Sequence, residues 1–445
     1  MCLAPISAIS LYPQTDAFPR VRFRCVNIEN PILDGALRMN RRHVTLGAIA
    51  VTLGLTYGVW YSYSVFLVAL LNEFGWSRSL LAGAFSVFTL VHGAANPVIG
   101  VLCDRVGPRR LVVFGGGALG LALFANGFID SPGHLYLGFG VATALAVACC
   151  GWVPAVVLVQ RQFMDRLGFS LGIVSSGIGL GMLFVVPLCQ WLIESLGWRA
   201  AWQILGAICA GWIVPAAWFL LRDEAPLPAV TLPTRAASAQ GADAREMTLR
   251  AALRTQPLWL LLGAFFFGNV CSQTLHVHQV AFLVDHGMAA MAAASVVGVV
   301  GVASIFGKAG GGWLSDRYQR EVIYVIGIAI MVGAVGALAL VGAVPSRWGA
   351  YVYAAMLGVG YSATAALIPA MLSDRFRGPR FGLILGTGLM GSALGSAFGP
   401  WMAGRLFDMT GSYVIPFVIA AVCGVLAAAA GWHARRLRLR AEQAG

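Results

Sequence analysis

The 445 residues predict an all-α membrane protein of twelve transmembrane helices, arranged as two pseudo-symmetric six-helix bundles. Three observations carry this. Hydrophobic residues make up 59% of the chain and charged ones 11%, against about 25% charged in a soluble domain. The apolar residues fall into twelve runs, each near or above the roughly 20 residues that cross about 30 Å of hydrocarbon. A pattern of glycines and acids also recurs at one fixed offset. The same composition excludes a disordered chain, a soluble globular domain, a collagen and a disulfide scaffold. Alternating ten-residue strands of a barrel are absent.

In order, the runs cover about 43–71, 77–103, 111–130, 134–159, 168–194 and 199–221, then 257–283, 289–314, 321–343, 348–372, 381–406 and 413–434. Residues 1–42 form a cytoplasmic N-terminal tail carrying Pro5, Pro13, Pro19 and Pro31. It has no signal-peptide core and is expected to be disordered, or to precede a true start at Met39. Residues 43–221 are the first bundle and 257–434 the second. Between them, 222–256 is rich in Ala, Pro, Thr and charge, the composition of a cytoplasmic linker. Residues 435–445 form a cytoplasmic tail.

Arginines set the orientation. With the N-terminus inside, 25 arginines fall in inside segments and four (Arg78, Arg199, Arg347, Arg405) at outside ends. That asymmetry calls for an even number of spans and cytoplasmic termini; the expected location is a bacterial inner membrane. It also assigns the net charge of +12 to topology rather than to nucleic-acid binding. The nine cysteines show no CxxC pairing and mostly lie inside apolar runs. No disulfide, metal or cofactor is expected.

Gly172, Gly177, Gly181, Glu194 and Gly197 recur as Gly386, Gly391, Gly395, Asp408 and Gly411, each 214 positions later. Asp104-Arg105 recurs as Asp316-Arg317 after 212. Five matches at one offset argue for duplication of a six-helix unit, the construction of one large transporter class.

The loop after the second run holds Gly100, Leu102, Asp104, Arg105, Gly107, Arg109 and Arg110 in the pattern GxLxDRxGxRR. Gly100 would permit close helix approach and Gly107 a tight turn. Asp104 and the arginines could pair across the cytoplasmic face, with Asp316 and Arg317 as the second copy. Together these residues form a candidate conformational latch.

This loop resembles the signature of the major facilitator superfamily, and the resemblance covers about 40–435. Further segments resemble its monocarboxylate-transporter-like branch, with the bacterial oxalate/formate antiporters. They are Tyr57-Gly58 through Tyr61 to Phe66, Glu73-Phe74-Gly75-Trp76-Ser77-Arg78, and Gly197-Trp198-Arg199. His278-Gln279-Val280, Gly399-Pro400 and Phe407-Asp408 through Gly411 to Tyr413 also fit. The resemblance implies the major facilitator fold and a small carboxylate substrate. It also implies a cation in the eighth span that pairs with that carboxylate. Aligned through Gly312 and Leu314, the position is Lys308, the only lysine in the chain. Mammalian members carry Asp four residues earlier, where Ser304 stands, and Lys in the first span, where Tyr61 aligns. The carboxylate–cation pair of those members is therefore missing here.

Lys308 lies about six residues from the inner end of its run, where a charge should face a cavity. Asn269, Gln273 and His276 share one face of the seventh run at i, i+4 and i+7. His278 is out of phase with them but matches the family histidine, so both histidines stay open as substrate ligands. Tyr57 and Tyr61 (i, i+4) and Tyr361 complete the expected pocket. His92 and Asn96 are read as inter-helix hydrogen-bonding groups.

No P-loop, HExxH or GxSxG is present, so neither ATP hydrolysis nor an enzyme is indicated. The reading is a secondary active transporter of small organic anions, most of all monocarboxylates. It would work by alternating access with proton symport or anion exchange, in membrane lipid and as a monomer. The rivals are a drug or metabolite exporter of the same fold and, further off, a non-transporting membrane sensor. The exporter would be favoured by an acid at cavity depth, the sensor by a folded signalling domain.

Overall fold

The computed structural model describes residues 31–163, 167–221, 249–315, 317–376 and 381–444. The side chains of 31–42, 249, 363–366, 368–369, 381–383 and 441–444 are not described. The linker from 222 to 248 and Asp316 therefore lie outside the described residues. Every regular element among the described residues is helical.

Helix α1 is Pro31–Phe74, α2 Arg78–Val106 and α3 Pro108–Asn126. The fourth expected span is built from α4 (Pro132–Leu135), a π-helical stretch Tyr136–Thr143, α5 (Ala144–Cys150) and α6 (Trp152–Gln162). α7 runs Leu167–Phe219, and the short α8 covers Leu249–Ala252. Then follow α9 (Gln256–Asp285), α10 (Ala290–Ser315), α11 (Arg320–Ala343), α12 (Arg347–Arg375), α13 (Phe381–Thr410) and α14 (Val414–Ala444). Among the described residues, nine helices are long and apolar enough to cross a membrane, with α7 taken as one.

One boundary differs from expectation. α1 begins at Pro31, twelve residues before the first expected span. Proline suits a first helical position, because its missing N–H has no intrahelical partner there. The fifth and sixth expected spans are both present within α7, as two helices that meet in a kink at Gly197 with φ +82°. That left-handed angle turns the chain, and glycine adopts it without a Cβ clash.

The duplication is visible as packing. A Cβ on Gly177 would lie 2.1 Å from the Ala50 carbonyl oxygen, and one on Gly181 2.0 Å from that of Gly54. In the second copy, Gly391 and Gly395 meet the carbonyl oxygens of Leu262 and Phe266 at 3.2 and 2.2 Å. Leu262 and Phe266 stand 212 positions after Ala50 and Gly54. Thus the 214-residue repeat of α7 in α13 closes on a 212-residue repeat of α1 in α9. The left-handed glycines repeat too: Gly75 with Gly287, and Gly197 with Gly411.

Helices α2–α7 pack among themselves, as do α9–α14, and the two groups meet along α2–α13 and α7–α10. In the first group, Phe66 stacks on Trp202 at 3.7 Å between centroids and Tyr63 on Phe139 at 4.3 Å. Between the groups, Gly179 and Gly301 each face the other's carbonyl oxygen at 2.4 Å from an added Cβ. By contrast Gly100, Gly168, Gly172, Gly310, Gly311, Gly312 and Gly386 would meet nothing within 4 Å. All seven lie toward the end of the bundle that carries the α2–α3 loop. The close approach expected at Gly100 is therefore not made, because no helix reaches it at this end.

Candidate functional site

Three aromatic side chains converge where α1, α9 and α12 meet. His276 lies 5.2 Å from the Tyr61 ring and 4.8 Å, edge-on, from Tyr361. Tyr61 and Tyr361 are neighbours, and Tyr57 lies close to both. Spacing explains the group: Tyr57 and Tyr61 are one turn apart on α1. On α12, Gly358 lets the helix close on Val300 and Ala303 of α10, and Gly360 on Met331 of α11. Tyr361 is thereby held at the junction.

His276 donates through Nδ1 to the Ser272 carbonyl oxygen at 2.8 Å. In the neutral ring this leaves Nε2 as an acceptor. Nε2 is buried and has no hydrogen-bond partner among the described residues. Gln273, one turn below, is buried with its Oε1 also unpartnered. Buried polar atoms are normally satisfied, so two such acceptors beside three phenols mark a place where a ligand can complete the bonding.

Lys308 follows Gly307, which is in contact with Ser362 of α12, and stands two turns after Gly301 on the α10 face that meets Gly179 of α7. Its ammonium donates across to α7, to the Ser175 carbonyl oxygen at 3.5 Å. Among the described residues no carboxylate lies in ion-pair reach of it. Ser304, one turn away, donates to the Gly301 carbonyl.

The other expected ligands turn elsewhere. Asn269 donates to the Phe265 carbonyl and accepts from Ser396 of α13 at 3.2 Å. His278 donates through Nε2 to the Pro400 carbonyl at 2.9 Å and accepts through Nδ1 from Tyr413 at 3.0 Å. Both of its ring nitrogens are thus used in fastening α9 to α13 and α14. His92 packs edge-on against Trp60 of α1, 5.0 Å between centroids.

The signature-loop residues pair within their own helix group in this conformation. Arg161 reaches Asp104 at 3.5 Å. Arg109 donates to the Ala217 and Trp218 carbonyls, clasping α3 to the end of α7. Arg105 and Arg110 are exposed, and Arg317 stacks on Trp313 at 3.9 Å. Gly107, at φ +93°, makes the turn its position called for. Asp316 lies outside the described residues.

At the opposite end a charged cluster does join the groups, and it was not singled out from the sequence. Asp408 accepts from the backbone N–H of Arg78 at 2.9 Å and of Ser79 at 2.8 Å, capping the start of α2. The Arg78 guanidinium bonds Asp285 at 2.7 Å and Tyr413 at 2.6 Å, and lies 3.9 Å over Phe407. The repeat accounts for this. In the first copy Glu73 pairs with Arg199 at 2.8 Å. The corresponding positions of the second copy are Asp285 and Tyr413. Tyrosine brings no charge, so Asp285 takes Arg78 from the other group. Arg78 and Asp408 both stood in segments quoted for their resemblance, and charges at helix ends in two distant segments were the available signal.

Comparison with known proteins places this architecture. Residues 49–376 match the family model of the Major Facilitator Superfamily. Monocarboxylate transporter 11 of Mus musculus is 30% identical over 399 residues, 84% of this chain and 83% of that one. Monocarboxylate transporter 13 of Bos taurus is 28% identical over 370 residues, 82% and 83% of the two chains. In structure, the chain is similar to a bacterial homolog of the human lysosomal transporter Spinster, in an inward-facing and occupied conformation. The TM-score is 0.68 at 19% identity, covering 89% of this chain and 97% of that one. That likeness bears on the fold alone. Two copies of one helical unit, a GxLxDRxGxRR loop and a 328-residue family match lead to one assignment. The chain is an integral membrane transporter of the major facilitator superfamily, on its monocarboxylate-transporter-like branch.

Proposed function

We propose that this protein moves a small organic anion, in first place a monocarboxylate, by alternating access with proton symport or anion exchange. The two helix groups, 43–221 and 257–434, rock as bundles about the site. Both termini face the cytoplasm of a bacterial cell, with the seven open glycines lining a vestibule on that side. The observation that carries the reading is Lys308: the only lysine, at membrane depth, with no carboxylate in reach among the described residues. A charge so placed costs about 2.5–3.5 kcal/mol on insertion scales. A substrate carboxylate would offset that cost, with the Tyr61 and Tyr361 hydroxyls as further donors. The unpartnered Nε2 of His276 would accept from a substrate hydroxyl or a protonated acid. The animal relatives named as monocarboxylate transporters support the substrate class.

The test is a thermal-stability panel on detergent-purified protein, with small carboxylates set against cationic and neutral drugs. A ligand at about 100 times its dissociation constant adds about 2.7 kcal/mol, a clear rise in melting temperature. The expected result is a rise with carboxylates that Lys308→Ala abolishes. A rise with drugs alone, untouched by the substitution, would favour an exporter instead.

A further inference from the structure

A cavity of about 870 Å³ opens between α11 and α14. One wall is a face of α11 from Val332 through Gly336 and Ala339 to Ala343, and the other runs from Val414 to Ala421 on α14. Phe282 and Phe417 lie between them. Gly336, Ala339, Val414 and Val418 are exposed, on helices that cross the membrane, so the cavity faces acyl chains and not water. Eleven residue steps from Val332 to Ala343, at 1.5 Å each, make about 16 Å. That is close to half of a roughly 30 Å hydrocarbon core. The cavity is therefore as long as one leaflet is thick.

Its far end is polar. Arg78, Asp285, His286 and Ser412 line it. Arg78 is already met by Asp285 at 2.7 Å, so the mouth presents one cation and one carboxylate that are paired with each other. The Asp285 side chain remains 35% exposed and can accept further hydrogen bonds. His286 donates through Nδ1 to the Phe282 carbonyl at 2.7 Å, leaving Nε2 as an acceptor in the neutral ring. Ser412 accepts from the Val414 N–H at 3.2 Å and can still donate its own proton. Carboxylate and imidazole acceptors with one hydroxyl donor suit a head group that brings an N–H cation beside a phosphate. A purely anionic head group would meet the Asp285 carboxylate with the nearby cation already paired.

We propose that this cavity binds one phospholipid bearing a primary-ammonium head group, with an acyl chain along α11 and the ammonium on Asp285. Because Asp285 and Tyr413 also hold Arg78, the bound lipid braces the closed end of the bundle. The experiment offers delipidated protein an equimolar detergent solution of phosphatidylethanolamine, phosphatidylcholine and phosphatidylglycerol. Native mass spectrometry then counts bound lipids for wild type, Gly336→Phe and Gly117→Phe. Neither glycine has an atom within 4 Å of its added Cβ, so both substitutions leave the helix packing alone. Only Gly336 lines the cavity, and Ala339→Phe serves as a second filling variant. Wild type and Gly117→Phe should retain one phosphatidylethanolamine per chain, at least fivefold over either other lipid. Gly336→Phe and Ala339→Phe should lose it at least fivefold. Equal retention in the filled variants, indifference to head group, or displacement of the lipid by small carboxylates overturns the proposal.

Discussion

Arg78→Ala should open the α1–α2 end of the bundle. The substitution leaves Asp285 and the Tyr413 hydroxyl without their shared donor, beside the Asp408 carboxylate that caps α2. The backbone cap survives, so α2 should not unravel. Losing one partner of a charge-assisted, partly buried pair costs about 2–3 kcal/mol. At about 1.4 kcal/mol per tenfold, that shifts the balance of closed to open states by about 30- to 150-fold. A cysteine at Ala397 reports the change, because Ala397 is buried and its carbonyl accepts from Ser86 across the α2–α13 contact. An impermeant thiol reagent applied from the Arg78 side should label Ala397→Cys at least tenfold faster in Arg78→Ala. The seven described native cysteines are buried, and the background without Ala397→Cys sets the baseline. Unchanged labelling would mean that the cluster does not hold this end shut.

A second large effect belongs to the glycine seams. Gly181→Leu places a Cβ 2.0 Å from the Gly54 carbonyl oxygen, and a backbone atom cannot step aside as a side chain can. α1 and α7 must separate along their length. Overpacking usually costs about 1–3 kcal/mol, and a backbone obstacle puts this case at the top of that range or above it. Folded proteins have about 5–15 kcal/mol in all. Gly395→Leu should do the same in the second copy, against Phe266 at 2.2 Å. Both variants should give a lower melting temperature and a reduced monodisperse peak in size-exclusion chromatography, while Gly117→Leu stays at wild type. Full stability in Gly181→Leu would contradict the packing described for α1 and α7.

The repeat was legible in the sequence, but its partner helices were not. Five residues at one offset identified Gly177 and Gly181 with Gly391 and Gly395, and each pair meets the duplicated partner helix. The i, i+4 spacing of Tyr57 and Tyr61 also put both on one face of α1, near Tyr361. What could not be read was the rotation of α9 about its own axis. From Val270 to Leu283 every residue of that helix is buried, so no polar stripe fixes its phase. Its polar side chains point to different neighbours: His276 to Tyr61, His278 to Tyr413, and Gln279 to Tyr353 at 3.0 Å. The branch resemblance favoured His278, whereas the unpartnered nitrogen belongs to His276. The Arg78 cluster escaped for another reason. Its members come from α2, α9, α13 and the turn before α14, and an inside-versus-outside count treats an arginine as a topological mark, blind to its partner. Gly100 shows the reverse case, where a small residue permits a contact that this conformation does not make.

The proposed role of Lys308, receiving the carboxylate of a transported anion, predicts the relative uptake of a radiolabelled monocarboxylate into proteoliposomes by wild type, Lys308→Ala and Lys308→Arg. Wild type should accumulate or exchange the label. Lys308→Ala should fall at least 100-fold, the loss of about 2.7 kcal/mol at 1.4 kcal/mol per tenfold. Lys308→Arg should retain part of the activity, because it keeps the charge and changes only its shape. Wild-type uptake in Lys308→Ala would contradict the account and return Lys308 to a lysine that merely fastens α10 to Ser175.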